Sequence, residues 1–300
     1  RALSRLSDGR DASAPDFSST IEQALQTAQR AYRKGSKSYD EALEQYQRQA
    51  TRHIEATLMS RKDTLGARAC SQRLLAHMAH IRGTSTPQYF QSLQLHAKTS
   101  AYGDPQYRAL CDSMLATAER IYEKGSDNYY RAIEQGYFHP MPLYLTSMLS
   151  HDSLLVQEQA RIYLANIGRI WDDSDPHYYK ALTQQLWYYP FEHPEYGELC
   201  GRILEAAGRL HEKGSTDYLK AVEQDYADHM DTHIRFLTYR GDTLHARQQA
   251  ELLVENMETI YGETDPHYYQ ALQALDNCYD YYDPSSRLLR EHLLSVARTL

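Results

Sequence analysis

The feature that most constrains this chain is an internal repeat. A segment of the form Tyr-x-x-Ala/Ser-Leu/Ile/Val occurs six times. Its tyrosines are Tyr39, Tyr89, Tyr129, Tyr178, Tyr218 and Tyr268. Their spacings alternate between long and short (50, 40, 49, 40 and 50 residues), so equivalent positions recur every 89 or 90 residues. A period of this kind predicts an array of similar structural units that pack on their neighbours.

Two classes of unit alternate along the chain. The longer class reads YRKGSKSYDEALEQ, YEKGSDNYYRAIEQ and HEKGSTDYLKAVEQ, ending at Gln45, Gln135 and Gln224. The shorter class reads GTSTPQYFQSLQ, DSDPHYYKALTQ and GETDPHYYQALQ, ending at Gln94, Gln184 and Gln273. When these segments are aligned, many positions besides the signature tyrosine match at the same period. The repeat is therefore a property of the whole chain and not of one motif.

The apolar residues indicate helices. They recur at spacings of three and four, as in Leu110, Cys111, Met114 and Leu115, which gives one apolar stripe on a helix. No stretch alternates as a strand does. We therefore predict an all-α fold in which each unit is a pair of antiparallel helices, A and B, with A starting near the signature tyrosine. The predicted helices are 18–34, 37–57, 64–82, 87–100, 105–123, 127–138, 141–149, 153–171, 176–189, 195–213, 216–237, 242–261, 266–281 and 285–299.

Prolines, glycines and acids predict the helix boundaries. Asp-Pro pairs at 104–105, 175–176 and 265–266 predict an N-cap followed by proline at the first helical position. The glycines at 35, 125 and 214 are expected at helix C-termini. Pro140 and Pro142 predict a break near residues 138–142, which is either a tolerated kink or an irregular recognition site.

Composition excludes several classes of protein. The 300 residues include 32 Lys and Arg against 40 Asp and Glu, a formal net charge of −8. This balance argues against nucleic acid as a partner. No apolar run reaches the length of a membrane-spanning helix, no signal-peptide core is present, and four cysteines are too few for a disulfide scaffold. We expect a cytoplasmic protein without nucleic-acid or membrane partners, and its oligomeric state stays open.

The two ends of the chain suggest that it belongs to a longer protein. Residues 1–17 are polar and small, and we predict a flexible lead-in there, with the repeat domain over 18–300. The first residue is Arg1, and the last, Leu300, falls within an apolar-periodic run. We therefore expect this chain to be a fragment or processed piece of a larger protein.

The repeat resembles a known family. Paired helices, a period in the thirties to forties and the Ala-Leu pair of helix A are similar to tetratricopeptide repeats. The closest likeness is to the longer kinesin-light-chain-like form, and it is carried here by the segment from Gly262 to Leu272, GETDPHYYQAL. The resemblance implies a right-handed α-solenoid of about six units, alternating about 50 and 40 residues. It also implies a non-catalytic interaction domain that binds a protein or peptide in a concave groove lined by A helices.

In tetratricopeptide proteins such arrays often regulate a signalling or protease domain. The resemblance therefore also implies that this chain is the sensor or regulatory part of a larger protein, and that the partner could be another domain of it.

Candidate groove residues lie off the packing stripe of each A helix. Cations and aromatics gather in the middle of the array, which suits an acidic or C-terminal-carboxylate peptide with an apolar anchor. The competing interpretation is an ordinary solvated helix face. The predicted groove residues are Arg131, Lys180, Lys220, Phe138, Trp187, Lys98 and Arg48.

Signals for catalysis and cofactors are weak. Cys111 and Cys200 share one repeat position on the packed stripe, which predicts buried small residues. His229 and His233 are four apart and could face one metal ion, but a third ligand is not evident. Phosphate-binding and nucleophile-elbow motifs are absent from the sequence. We predict no cofactor, no metal and no catalysis by this chain.

Two alternatives to a groove-binding domain stay open. The first is a small-ligand binder or enzyme with its site near residues 138–142 and 187–189. The second is an array that associates with itself through an exposed apolar face on the last helix, 285–299.

Overall fold

The computed structural model describes residues 17–280 and 283–300, and in these residues every regular element is helical. This confirms the all-helical prediction. The predicted lead-in over 1–17 lies almost wholly outside the described residues. The chain divides after Met148 into two compact units, here called unit 1 and unit 2.

Unit 1 is a succession of helices in which each packs on the next along the chain. A π-helical turn, Glu134–Phe138, joins its last two helices. The helices of unit 1 are α1 (Phe17–Ala31), α2 (Lys37–Arg61), α3 (Thr64–Arg82), α4 (Pro87–Lys98), α5 (Tyr107–Ile121), α6 (Asp127–Ile133) and α7 (Pro140–Met148).

Unit 2 repeats this arrangement. A 3-10 turn, Leu186–Tyr188, extends its second helix, and a π-helical turn, Val222–Ala227, again interrupts a long A helix. The helices of unit 2 are α8 (Ser153–Ile170), α9 (Pro176–Gln185), α10 (Glu195–Leu210), α11 (Thr216–Ala221), α12 (Asp228–Tyr239), α13 (Thr243–Tyr261), α14 (Pro266–Asp276) and α15 (Pro284–Ala297).

The signature tyrosine has two roles at the start of each long A helix. Its backbone N–H donates to the N-cap serine three residues earlier, at N···O distances of 3.2 to 3.3 Å for Tyr39, Tyr129 and Tyr218. Its ring is buried, together with the Ala and the Leu, Ile or Val that follow it. The repeated motif therefore combines a helix cap with a core contact, and this explains why it recurs at one position of the unit.

Both π turns follow from one extra residue in the sequence. In α2 the buried Tyr46 lies seven residues after Tyr39, whereas Tyr137 and Tyr226 lie eight residues after their signature tyrosines. A single-residue π insertion absorbs the difference and keeps the second tyrosine in the core. The ordinary α-helices that the sequence predicted over 127–138 and 216–237 are therefore wrong at these turns.

The predicted break near 138–142 is confirmed, and its geometry has a simple cause. α6 ends at Ile133, the π turn follows, and α7 begins at Pro140. Pro140 and Pro142 fall in the first turn of α7, where helical N–H groups have no partner within the helix. The two prolines therefore start a helix here and do not distort one.

Two boundary predictions need correction. The glycines at 35, 125 and 214 have φ between 81° and 88° and lie in the turns before the next N-cap, each four residues after the last residue of the preceding helix. The Asp104-Pro105 pair precedes α5 without capping it, because Asp104 accepts a hydrogen bond from the N–H of Gln106 and the helix begins at Tyr107. The N-caps predicted at Asp175 and Asp265 are confirmed.

Candidate functional site

The A helices α2 and α4 of unit 1 flank an open groove of about 550 Å³, here called groove 1. Three cations and two carboxylates lie among its walls, so the walls carry a small positive charge. The lining residues are Glu44, Gln47, Arg48, Thr51, Arg52, Glu55, Gln88, Gln91, Gln94, Leu95 and Lys98.

The cations of groove 1 are only partly neutralised. Arg48 lies 3.9 Å from Glu44, one turn earlier on the same exposed helix face. In the part of the chain that the structure describes, Arg52 and Lys98 form no ion pair. An unpaired guanidinium and an unpaired ammonium on facing helices can both bind a carboxylate.

Glutamine side chains line the floor of groove 1. Gln47 donates through Nε2 to the backbone carbonyl of Gln88, at 3.0 Å, and to Oε1 of Gln91, at 3.4 Å. Gln94 donates to Oε1 of Gln135, at 3.3 Å, and so links α4 to the π turn. Each carboxamide carries both donors and acceptors, so this floor can pair with the backbone of an extended segment.

A second hollow of about 460 Å³ adjoins groove 1, and the two share Gln94 and Lys98. Its walls are mostly apolar, and it is here called the Tyr102 hollow. It is lined by Gln94, Ala97, Lys98, Tyr102, Tyr107, Met114, Gln135, His139, Pro140 and Leu143. Tyr102 and Leu143 are each nearly half exposed at its rim.

The groove residues predicted from the sequence fall into three groups. Arg48 and Lys98 line groove 1 together. Four others are exposed but line neither hollow of unit 1: Arg131, Lys180, Lys220 and Trp187. Phe138 is 3% exposed and packs in the interior, so its ring offers no surface to a partner.

The interior position of Phe138 has a physical cause. The sequence placed it five residues after Ile133, as Arg48 follows Leu43. The π turn adds one residue and rotates the following side chains by about a quarter of a turn. His139 therefore takes the position that corresponds to Arg48, and it lines the Tyr102 hollow.

Sequence reasoning also missed Arg52 and the aromatic wall of the Tyr102 hollow. Arg52 follows Arg48 by four residues, so helical spacing could have found it. The aromatic wall had no such signal, because Tyr102 precedes α5 in a turn and Tyr107 belongs to a B helix.

Unit 2 has a hollow at the repeat position of groove 1, here called groove 2, of about 320 Å³. Counting the π insertion, Arg48 corresponds to Asp228, Thr51 to Asp231 and Lys98 to Asn277. The walls of groove 2 include Glu223, Asp228 and Asp231 against the single arginine Arg235. The two grooves therefore have equivalent walls with opposite sign of charge.

The histidines that suggested a metal site have internal partners. His229 Nδ1 lies 2.7 Å from the hydroxyl of Tyr196, and His233 Nδ1 donates to the backbone carbonyl of Phe191. Burial lowers the pKa of both imidazoles. Among the described residues no group of three or more metal-binding side chains is close enough to hold an ion. This geometry gives the two histidines a structural role.

The cysteines match the sequence prediction. Cys111 and Cys200 are fully buried, and burial raises the pKa of each thiol to about 12. A thiol with so high a pKa carries very little thiolate near neutral pH, so neither has the reactivity of a nucleophile.

The comparisons with known proteins give no assignment. No family model, no curated protein and no solved structure matches this chain. The described helices include none that combines the length and the apolar character needed to cross a bilayer. The chemistry of the grooves is therefore the basis for a functional argument.

Proposed function

We propose that this chain is a non-catalytic interaction domain that binds an extended segment of a partner protein along the A helices of unit 1. The observation that carries the proposal is groove 1, which is lined by glutamines and by Arg52 and Lys98 from its two flanking helices, neither of which forms an ion pair among the described residues. Charge complementarity favours a segment with acidic side chains or a terminal carboxylate. Glutamine carboxamides can hold the backbone of that segment.

The proposal includes the architecture that the repeat predicts. We propose that the helix pairs stack as a right-handed α-solenoid of the tetratricopeptide type, in a cytoplasmic protein. Two features support this stacking: within each unit, successive helices and turns pack on one another, and the same capped tyrosine starts each long A helix. Stacked helix pairs leave one continuous face of A helices, which is the surface that such arrays offer to partners.

A selection from a random peptide library tests the proposal, because such a library samples many partner chemistries at once. The folded chain is immobilised and used as the target. We expect enrichment of peptides with Asp or Glu near an apolar residue. Binding of a selected peptide should weaken about tenfold or more in the double variant Arg52→Glu and Lys98→Glu, because two attractions become repulsions.

A matched double variant locates the site. Lys180→Glu with Lys220→Glu makes the same change of charge on exposed A-helix positions of unit 2, and we expect it to leave affinity within about twofold of wild type. If this second variant abolished binding while the first had no effect, groove 1 would not be the site. If the library gave no enrichment with acidic character, the proposed partner chemistry would be wrong.

A further inference from the structure

The Tyr102 hollow has the composition of a small-molecule site. Its volume of about 460 Å³ falls within the range of ligand pockets, and apolar and aromatic side chains make most of its wall. Tyr102 packs edge-on against Tyr107, with ring centroids 5.1 Å apart, and Tyr107 stacks on Tyr144 at 6.4 Å. These rings support one another, so the aromatic wall is preformed.

The π turn builds the opposite wall. It places Gln135 and His139 on the hollow, and the first turn of α7 adds Pro140 and Leu143. Close packing fixes this wall, because a Cβ added at Gly136 would lie 3.0 Å from Cβ of Met114. π turns are rare, and they are frequent at functional sites.

The polar groups of the hollow favour an anion. Lys98 supplies the one full positive charge of the lining, and it has no ion-pair partner in the described part of the chain. The lining residues include no Asp or Glu. The carboxamides of Gln94 and Gln135 meet at 3.3 Å near the same rim and add hydrogen-bond donors. A carboxylate at this rim would be paired and hydrogen-bonded, while its apolar body lay against the tyrosines.

Unit 2 has different side chains at the equivalent positions. Counting the π insertion, Pro140 corresponds to His229, whose Nδ1 lies 2.7 Å from the Tyr196 hydroxyl. The position that Lys98 occupies in the first of the shorter repeats is occupied by Trp187 in the second. Phe191 stacks on Phe236 at 5.1 Å in the adjoining turn. The side chains that line the Tyr102 hollow are therefore particular to unit 1 and are not repeated in unit 2.

We propose that the Tyr102 hollow binds a small hydrophobic carboxylic acid. The ammonium of Lys98 pairs with the carboxylate, and Gln94 and Gln135 hydrogen-bond to it. The apolar body of the acid packs between Tyr102 and Leu143. This site shares Lys98 and Gln94 with groove 1, but the inference needs neither Arg52 nor an extended backbone.

The test uses 3-phenylpropanoate as the probe and its uncharged primary amide as the matched ligand. Binding is measured by calorimetry and by saturation-transfer NMR. We expect saturable binding of the acid with a Kd of about 1 mM or tighter, as befits a ligand of this size. The amide should bind about tenfold more weakly, because it leaves Lys98 without a partner.

Three variants assign the site. Lys98→Met should weaken the acid about tenfold while leaving the amide unchanged, and Leu143→Trp should weaken both ligands by filling the hollow without adding a charge. Lys180→Met removes an exposed lysine of unit 2 and should change neither affinity. All three positions are solvent-exposed, and thermal unfolding checks that each variant folds.

Three outcomes would overturn the proposal. They are no saturable binding of the acid up to about 10 mM, equal affinity for the acid and the amide, or unchanged affinity in both Lys98→Met and Leu143→Trp. None of these results depends on a peptide, so this proposal and the peptide-groove proposal can fail separately.

Discussion

Groove 1 and groove 2 lie at the same position of the repeat and differ in charge. Groove 1 has Arg48, Arg52 and Lys98 on its walls, whereas groove 2 has Asp228 and Asp231 with Asn277. Each groove is flanked by a serine-capped long A helix and by a short A helix that starts with proline, although a π turn interrupts the long helix beside groove 2. The repeat therefore fixes the positions of the walls, while individual exposed side chains decide what each groove attracts.

Truncating a buried tyrosine should cost the same stability in the core beneath either groove. Of the four predictions made here, Tyr226→Ala should have the largest effect. Tyr226 is fully buried, accepts a hydrogen bond from Asn256 at 2.6 Å, and takes the core position of Tyr46. We expect a loss of about 4 kcal/mol in the free energy of unfolding, measured by urea denaturation. Tyr46→Ala should cost a similar amount. The exposed control Tyr239→Ala should change stability by less than about 0.5 kcal/mol. A small effect at Tyr226 would contradict the π-turn equivalence.

Gly136 distinguishes the two π turns. A methyl group there would lie 3.0 Å from Cβ of Met114 and 3.2 Å from Cζ of Phe90, whereas unit 2 has Asp225 at this position. We expect Gly136→Ala to destabilise the chain by about 1 to 3 kcal/mol through overpacking. Gly201→Ala, in a helix with open space around the added methyl, should be neutral or stabilise by up to about 1 kcal/mol. Stability is measured by thermal unfolding. Equal changes in stability for the two variants would contradict the claim that close packing requires glycine at position 136.

Exchanging the wall charges should move the binding preference. The triple variant Asp228→Arg, Asp231→Thr and Asn277→Lys gives groove 2 the residues that groove 1 has at three equivalent positions. It is made in a chain whose own groove 1 carries Arg52→Glu and Lys98→Glu. We expect a selected acidic peptide to bind this chain about tenfold more tightly than its parent, by calorimetry. If affinity does not rise, wall charge alone does not explain the difference between the grooves.

Acid should destabilise the chain through its buried imidazoles. Of the four predictions made here, this one should have the smallest effect. Burial lowers the pKa of His96 in unit 1 and of His229 and His233 in unit 2. The unfolded chain then binds protons first, so stability is complete above about pH 6.5 and is lost as the pH falls below it. His233→Gln should reduce this dependence in urea unfolding at neutral and acidic pH. An unchanged slope in that variant would show that His233 does not contribute.

Helical elements could be predicted from this sequence, because they depend on periodic constraints. The stripes that include Met114 and Leu115, and the Asp-Pro caps at Asp175 and Asp265, repeat at fixed spacing, and the structure has them where they were expected. The π turns were not predicted, although the eight-residue spacing from Tyr129 to Tyr137, one residue longer than that from Tyr39 to Tyr46, indicates an inserted residue. One extra residue inside a helix has several possible accommodations, and only packing selects among them.

The candidate site could be predicted only in part. Arg48 and Lys98 follow from counting residues along regular A helices. Phe138 does not, because the π turn displaces it into the core and exposes His139 in its place. Tyr102 was not predicted because it lies in a turn that places it on the Tyr102 hollow, and residues in turns have no periodic spacing from which their position could be inferred.

Photo-crosslinking with one selected acidic peptide tests the central claim most directly. A benzophenone amino acid replaces Gln91, on the wall of groove 1, or Gln270, its repeat equivalent on groove 2; both positions are exposed. After irradiation at equal occupancy, mass spectrometry should find the peptide attached at position 91 and essentially none at position 270. Attachment mainly at position 270 would contradict the assignment of the partner site to unit 1.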